Sequence, residues 1–302
     1  MLRASAPAAV LSLVLISACS KPSSVDGATS TKPSASTPTT ASAASPPTKV
    51  TMSVPDTLAR PKAIDFGPYV GCFEIRDLTT GRTVKSDDAK CAERLSPCST
   101  FKIAHSLIGL ETGVLKDKDT LFKWDGKTNK RAEDNRDHTL ELAVHDSTVW
   151  YFQELARRVG ADKEKEWVAK LGYGNADTSG GLTTFWLESS LAISADEQVD
   201  FLEKIYTGKL AVSKASVDVV KAILPLSSRG AREVRGKTGS CEAHDKQPDL
   251  GWFVGHVAPD VDGKHESVFA VNVRGAHAFG IAARQTAMRL LHEQGLIAAE
   301  MY

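Results

Sequence analysis

A serine and a lysine stand three residues apart in SPCSTFKIAHSLIGLETGV, residues 96–114. A helix places positions i and i+3 on one face, so Ser99 and Lys102 can touch. A lysine amine that is removed from water loses its proton readily, and it can then accept the proton of a serine hydroxyl. The pair can therefore supply a nucleophile and its base, although such a pair also occurs by chance on exposed helix surfaces.

Apolar side chains follow this pair at helical spacing. The spacing predicts a helix with one buried face, which Lys102 borders. We expect Ser96 to cap the first turn, Pro97 to occupy its first position and Gly113 to lie near the end. The buried positions are Ile103, Leu107, Leu110 and Val114.

A second motif, Lys237-Thr238-Gly239-Ser240, lies in a strand-like segment near the end of the chain. A strand edge offers backbone N–H groups to a developing oxyanion, and glycine lets a substrate approach the backbone closely. Lysine and threonine can bind a substrate carboxylate. Alone, such a tripeptide is usually a turn, but after Ser-x-x-Lys it indicates a serine acyl-transfer site.

Ser147 lies between these two motifs, at the start of STVWYFQELARRV. A serine at this place can simply cap a helix. An acyl-transfer site also needs a hydroxyl that passes a proton to the leaving nitrogen, and Ser147 is the candidate for that role.

Strand patterns at both ends of the folded region enclose a mainly helical middle. Short connections between the late strands indicate antiparallel neighbours. The order predicts an α/β protein of the α+β type, with a central antiparallel sheet flanked by helices and a helical subdomain. The strands are expected at 70–77, 83–86, 233–241, 251–257 and 267–274, the helices mainly within 115–210, and a final helix at 282–294.

The first 57 residues differ in composition from the rest. Residues 1–19 are typical of a secretory signal, because the apolar run is too short to cross about 30 Å of hydrocarbon. They end in Ile-Ser-Ala-Cys, which resembles a bacterial lipobox and predicts lipidation of Cys19, the alternative being an ordinary cleaved signal. Residues 20–57 have the Ser/Thr/Pro/Ala-rich composition of a disordered tether. We therefore expect a catalytic domain at 58–302, anchored on the periplasmic side, and Ser20 favours the outer membrane.

Charge and ligand spacing exclude two classes of function. Lys plus Arg and Asp plus Glu both number 37, so no basic excess suggests nucleic acid. Cys241-Glu-Ala-His244 and the pairs His265-Glu266 and His292-Glu293 lack a second ligand pair at zinc-binding spacing. We expect a small-molecule substrate, no metal, and membrane contact only through the anchor.

Several ordered motifs resemble the class D, oxacillinase-type serine β-lactamases. Valine at position 149, where many penicillin-binding proteins and other serine β-lactamases carry asparagine, favours class D. The resemblance covers about Tyr69 to Leu296 and implies the serine β-lactamase/DD-peptidase-like fold and hydrolysis of β-lactam antibiotics. The motifs are Ser99-Thr100-Phe101-Lys102, Ser147-Thr148-Val149, Tyr173-Gly174-Asn175, Phe185-Trp186-Leu187-Glu188 and Lys237-Thr238-Gly239.

The resemblance also implies a chemistry for Lys102. In class D enzymes this lysine adds carbon dioxide, and the resulting N6-carboxylysine is the general base, with no other cofactor. The family further implies that Trp186 donates its indole N–H to the carbamate. The apolar surroundings of this lysine are expected to be Phe101, Val149, Trp186 and Leu187, and the last three are also expected to line the substrate site.

The remaining roles also follow from the resemblance. Ser147 and Lys237 relay a proton to the ring nitrogen, while the N–H groups of Ser99 and Ser240 hold the oxyanion. The substrate carboxylate is expected to meet Thr238 and Ser240 beside Gly239, together with an arginine. Arg284 is the first candidate for this arginine and Arg274 the alternative.

Four cysteines remain beyond the signal, and export makes disulfides possible. Cys72 and Cys91 flank the first hairpin and the approach to the Ser99 helix, which favours their pairing. Cys98 and Cys241 then remain, one beside the nucleophile and the other two residues after Gly239. Their placement resembles the active-site disulfide of class A carbapenemases, so we expect a bond there and some carbapenem hydrolysis, the alternative being two packed thiols.

Two other functions remain open. A β-lactam sensor shares the fold but stays acylated, and sensors of resistance-inducing receptors follow several membrane spans that this sequence lacks. A cell-wall transpeptidase is less favoured, because the motif at Ser147 ends in valine and only one folded domain is present.

Overall fold

A computed structural model describes residues 64–228, 232–242 and 248–298. The expected signal, Cys19 and the tether at 20–57 lie outside these residues, as does the expected start of the domain at 58. Within the described residues, no helix has both the length and the apolar character needed to cross a membrane.

Eight strands and eight helices make up the described fold. The strands are β1 Val70–Asp77, β2 Thr83–Lys85, β3 Leu121–Phe122, β4 His138–Thr139, β5 Leu226–Ser228, β6 Val234–Cys241, β7 Leu250–Val257 and β8 Ser267–Arg274. The helices are α1 Asp88–Ala92, α2 Lys102–Glu111, α3 Leu140–His145, α4 Val149–Val159, α5 Ala161–Leu171, α6 Ala195–Tyr206, α7 Lys214–Ile223 and α8 Gly280–Glu293. Short 3-10 turns occupy Cys98–Phe101 and Ala132–Asp134.

Six strands form one antiparallel sheet in the order β2-β1-β8-β7-β6-β5. Every residue of β7 is buried, as expected for a central strand covered on both faces. One face carries Phe253 and Phe269 and packs against α8. The other face carries Trp252 and Val254 and packs in the larger core with the helical region. The α+β arrangement predicted from the sequence is therefore confirmed, while the short edge strand β5 was not predicted.

The segment that carries Ser99 begins differently from the expectation. A 3-10 turn precedes α2, which starts at Lys102, and no side chain caps the N-terminus of the turn or of α2. The hydroxyl of Ser96 instead accepts a hydrogen bond from the backbone N–H of Glu188 at 3.0 Å and donates to the carbonyl of Trp186 at 3.3 Å. The predicted Ser96 cap is therefore wrong, because this side chain ties the nucleophile segment to the loop around Trp186.

Candidate active site

Ser99 and Lys102 are in direct contact. The Nζ atom of Lys102 lies 2.8 Å from the Oγ atom of Ser99, where the 3-10 turn passes into α2. Ser99 is half-buried and reachable, whereas Lys102 is 0% exposed. Burial, reinforced by the charge of Lys237, lowers the pKa of Lys102 well below its usual value. The site therefore favours the neutral amine that can take the serine proton.

An aromatic ring lies beside the Lys102 amine, and further aromatic rings are buried in the same core. The amine lies 5.2 Å from the centre of the Phe152 ring, and the rings of Phe101 and Trp186 stack with centroids 5.8 Å apart. Trp186 is fully buried, and its Nε1 has no hydrogen-bond partner among the described residues. An unpaired buried donor costs about 1–3 kcal/mol, so an acceptor added beside this N–H would be stabilised.

Ser147 and Lys237 form the second contact of the site. The Nζ atom of Lys237 donates to the Oγ atom of Ser147 at 3.0 Å and to the carbonyl of Thr238 at 3.0 Å. Lys237 lies on β6 and Ser147 just before α4, so the contact joins the sheet to the helical region. Burial, with a smaller effect from the Arg131 charge, lowers the pKa of Lys237 to about 7. The group can therefore both hold and release a proton near neutral pH.

The backbone is strained beside both hydroxyls. Cys98 has φ 49° and Ser147 has φ 59°, values in the left-handed region that non-glycine residues seldom adopt. Such positions cost on the order of 1–3 kcal/mol and persist where the surroundings hold them. Arg131 donates to the carbonyl of Asp146, the residue before Ser147, and the Thr148 hydroxyl donates to Asp134 at 3.1 Å.

Two disulfides are present, Cys72–Cys91 and Cys98–Cys241. The second joins the residue before Ser99 to the end of β6. Close packing accompanies this bond, because a Cβ atom added at Gly239 would lie 3.1 Å from the carbonyl oxygen of Pro97 and 3.2 Å from Thr100. Gly239 thus lets β6 approach the segment that carries the nucleophile.

The candidate carboxylate-binding residues lie at the exposed edge of β6. Thr238 is half-buried and Ser240 is exposed, and the Ser240 hydroxyl accepts the backbone N–H of Gly280 at 2.9 Å. Arg284 borders the same cleft as Thr238 and donates to the carbonyl of Ser227 at 3.0 Å. Arg274 instead makes two bonds to Glu93, at 2.7 and 2.6 Å, in a separate cleft. The structure thus places Arg284, and not Arg274, beside Thr238.

Two apolar residues predicted to line the substrate site, Val149 and Leu187, are close in sequence to Ser147 and Trp186. Val149 begins α4 two residues after Ser147 and is 37% exposed. Leu187 follows Trp186, is half-buried and packs against the larger core.

Three buried polar residues near the site were not predicted from the sequence, namely Asp134 and the pair formed by His105 and Glu164. Asp134 is 8% exposed, and its backbone carbonyl accepts the indole N–H of Trp150 at 2.8 Å. His105 and Glu164 form a hydrogen bond at 2.8 Å with both side chains buried. The one available signal was the position of His105, one helical turn after Lys102. Nothing in the sequence marked Asp134 or Glu164.

Residues 73–292 match the family described as the penicillin binding protein transpeptidase domain. The chain is 36% identical over 234 residues to a probable β-lactamase, YbxI, from Bacillus subtilis. The match covers 77% of this chain and 84% of that protein.

Two solved structures are similar over most of the described fold. A class D β-lactamase from Bacillus subtilis has a TM-score of 0.70 at 36% identity, covering 76% of this chain and 94% of that one. The C-terminal domain of the Bacillus licheniformis BlaR penicillin-receptor has a TM-score of 0.72 at 31% identity, covering 76% and 92%. The fold is thus shared by a β-lactamase and by a penicillin-receptor domain.

Proposed function

The chain belongs to the class D β-lactamase family, and we propose that it hydrolyses β-lactam antibiotics through a serine acyl-enzyme and so confers resistance. The observation that carries the proposal is the 2.8 Å contact between the Ser99 hydroxyl and the fully buried amine of Lys102. No metal takes part in this chemistry. The groups that must move protons are side chains of the protein.

Acylation uses both pairs of the site. The carboxylated side chain of Lys102 takes the proton of Ser99, whose oxygen attacks the lactam carbonyl while the N–H groups of Ser99 and Ser240 stabilise the oxyanion. The C–N bond then breaks, and the ring nitrogen receives a proton from the Ser147 hydroxyl. Lys237, 3.0 Å from that hydroxyl, replaces the proton.

Carboxylation of Lys102 fits the surroundings of its amine. Only an unprotonated amine attacks carbon dioxide, and burial lowers the pKa of this one. The unpaired N–H of Trp186 is a donor suited to an added carboxylate. When present, the carboxylate supplies the general base that activates water for deacylation.

The β6 edge supplies the groups that would orient the substrate. Thr238 and Ser240 offer hydroxyls to the substrate carboxylate, and Gly239 allows close approach of the backbone. Arg284 adds the positive charge. Replacing Arg284 with alanine is expected to raise KM more than it lowers kcat, whereas Arg274→Ala should change neither.

A sensor role is the second candidate, because the BlaR receptor domain is as similar in fold as the hydrolases. The two roles differ in the fate of the acyl group. Purified protein and a chromogenic cephalosporin separate them: many turnovers per molecule support hydrolysis. One equivalent of product with a lasting adduct on Ser99 would favour the sensor. A transpeptidase would instead transfer the acyl group to an amine of a cell-wall peptide.

We also propose that the protein is exported and tethered to the periplasmic side of a membrane by lipid on Cys19, with residues 20–57 as the tether before a domain at 58–302. The sequence of residues 1–19 and the presence of two disulfides support export. Labelled palmitate should be incorporated into the wild-type chain and not into Cys19→Ala. Equal labelling of both would contradict the anchor.

A further inference from the structure

His105 and Glu164 form a buried hydrogen bond that has no role in the reaction as described. Their side chains are 0% and 1% exposed, and the His105 Nε2 atom lies 2.8 Å from a carboxylate oxygen of Glu164. Lys102 and His105 are one helical turn apart on α2, and Glu164 lies in the first turn of α5. The hydrogen bond between His105 and Glu164 therefore lies one turn of α2 away from Lys102.

The His105 ring contacts three aromatic rings, and one of them, Phe152, lies beside the Lys102 amine. Its centroid lies 5.1 Å from that of Trp186 in an edge-to-face contact, 5.1 Å from Phe101 and 5.5 Å from Phe152. Fixing the His105 ring therefore restrains the rings of Trp186, Phe101 and Phe152 that pack against it. Glu164 fixes the ring through the hydrogen bond between its carboxyl group and the Nε2 atom of His105.

Burying a histidine–glutamate pair in the core costs free energy when some of its polar atoms have no hydrogen-bond partner. The Nδ1 atom of His105 and the second carboxylate oxygen of Glu164 have no partner among the described residues. Apolar side chains of similar volume often serve stability as well as a buried pair does, or better. The pair instead supplies a directional hydrogen bond, which apolar residues cannot form and which can fix the orientation of the His105 ring.

We propose that His105 and Glu164 are positioning residues that hold Trp186 so that its unpaired N–H meets the carboxylate added to Lys102. The pair thereby sets how tightly the active site retains carbon dioxide. This inference rests on the proposed carboxylation of Lys102. It requires no contact between the pair and the substrate.

The test measures the bicarbonate concentration that gives half-maximal kcat, after removal of carbon dioxide. Glu164→Met fills the volume but cannot accept the imidazole hydrogen bond, and it should raise this concentration about fivefold, corresponding to the loss of about one hydrogen bond. Glu164→Gln keeps an acceptor oxygen and should stay within about twofold of wild type. His105→Asn, which removes the ring, should resemble Glu164→Met and serves if that variant does not fold.

A matched control comes from a second histidine–glutamate hydrogen bond, between His256 and Glu266 at 2.7 Å. Glu266→Met should leave the bicarbonate requirement unchanged while altering thermal stability. The positioning role is overturned if Glu164→Met has the wild-type requirement, or if Glu164→Gln is impaired as much as Glu164→Met. If the wild-type enzyme itself needs no bicarbonate, carboxylation fails, and the inference fails with it.

Discussion

The amine of Lys237 lies 3.0 Å from the hydroxyl of Ser147, and this bond joins residues 90 positions apart in the chain. Ser99 and Lys102 meet within one turn of backbone, whereas Ser147 and Lys237 meet only because β6 packs beside the start of α4. The acylating half of the site is local, and the half that delivers a proton depends on the tertiary fold.

Removing Ser99 and removing Lys102 should stop the reaction at different points. Ser99→Ala lacks the nucleophile and should form no covalent adduct with penicillin, as measured by intact-protein mass spectrometry. Lys102→Ala should be acylated slowly and remain acylated, and loss of a general base predicts a fall in turnover of about 10²–10⁴-fold. A drug adduct on Ser99→Ala would show that the nucleophile is another residue.

Activity should fall on the acid side and depend there on bicarbonate. The pKa of Lys102 is lowered by burial, so the amine is neutral above that pKa and protonated below it. A protonated amine cannot add carbon dioxide, and kcat should therefore decrease as pH falls through that value. Added bicarbonate should restore kcat in degassed buffer. Identical pH profiles with and without bicarbonate would remove the carbamate from the mechanism.

Trp186→Phe tests the donor without removing the ring. The variant keeps an aromatic side chain beside Phe101 but lacks the unpaired N–H. We expect the bicarbonate requirement to rise by up to about tenfold, the equivalent of one hydrogen bond. Trp124→Phe is the control, because its indole N–H donates to the Lys127 carbonyl in an exposed loop. Equal effects of both substitutions would argue against a specific role of Trp186.

Loss of the Cys98–Cys241 bond should lower stability and loosen the cleft. The bond closes a loop of 143 residues, and chain entropy alone predicts a contribution on the order of 4–5 kcal/mol. We expect the double serine variant to unfold at lower denaturant concentration and to lose carbapenem hydrolysis before penicillin hydrolysis. Peptide mapping without reductant checks the pairing in the wild-type protein, where free thiols at both positions would contradict it.

Glu74 should make stability fall as the pH rises from the acid side to about 8. Burial, aided by a hydrogen bond to Asp196 and its charge, raises the pKa of this fully buried carboxyl from 4.5 to about 8. Between these values the folded protein retains a proton that the unfolded chain releases. Stability is therefore lost as pH rises from 4.5 to 8, by on the order of a few kcal/mol.

Glu74→Gln removes this titration while keeping a similar shape. Its unfolding free energy should overtake that of wild type as pH rises, and urea unfolding over this range provides the measurement. Parallel pH curves for the two proteins would mean that Glu74 is ionised in the fold.

The sequence was informative where contacts are local. The contact between Ser99 and Lys102 follows from helical spacing, and the sheet follows from short alternating segments. The predicted cap at Ser96 failed because its hydroxyl binds the loop around Trp186, 90 residues away. Glu164 resembles an ordinary acidic residue in the first turn of a helix, a position that is usually solvated. Its burial against His105 depends on how α5 packs on α2, which no local pattern encodes.

The order of strands in the sheet constrains how the protein folds. β1 lies between β2 and β8, and Val70 stands opposite Arg274. The centre of the sheet therefore cannot assemble until nearly the whole domain has been synthesised, a topology of high contact order that slows folding. The Cys72–Cys91 loop spans 19 residues and can close early, whereas Cys98 must wait for β6. The first hairpin can thus be held in place before β6, the strand that completes the catalytic cleft, has joined the sheet.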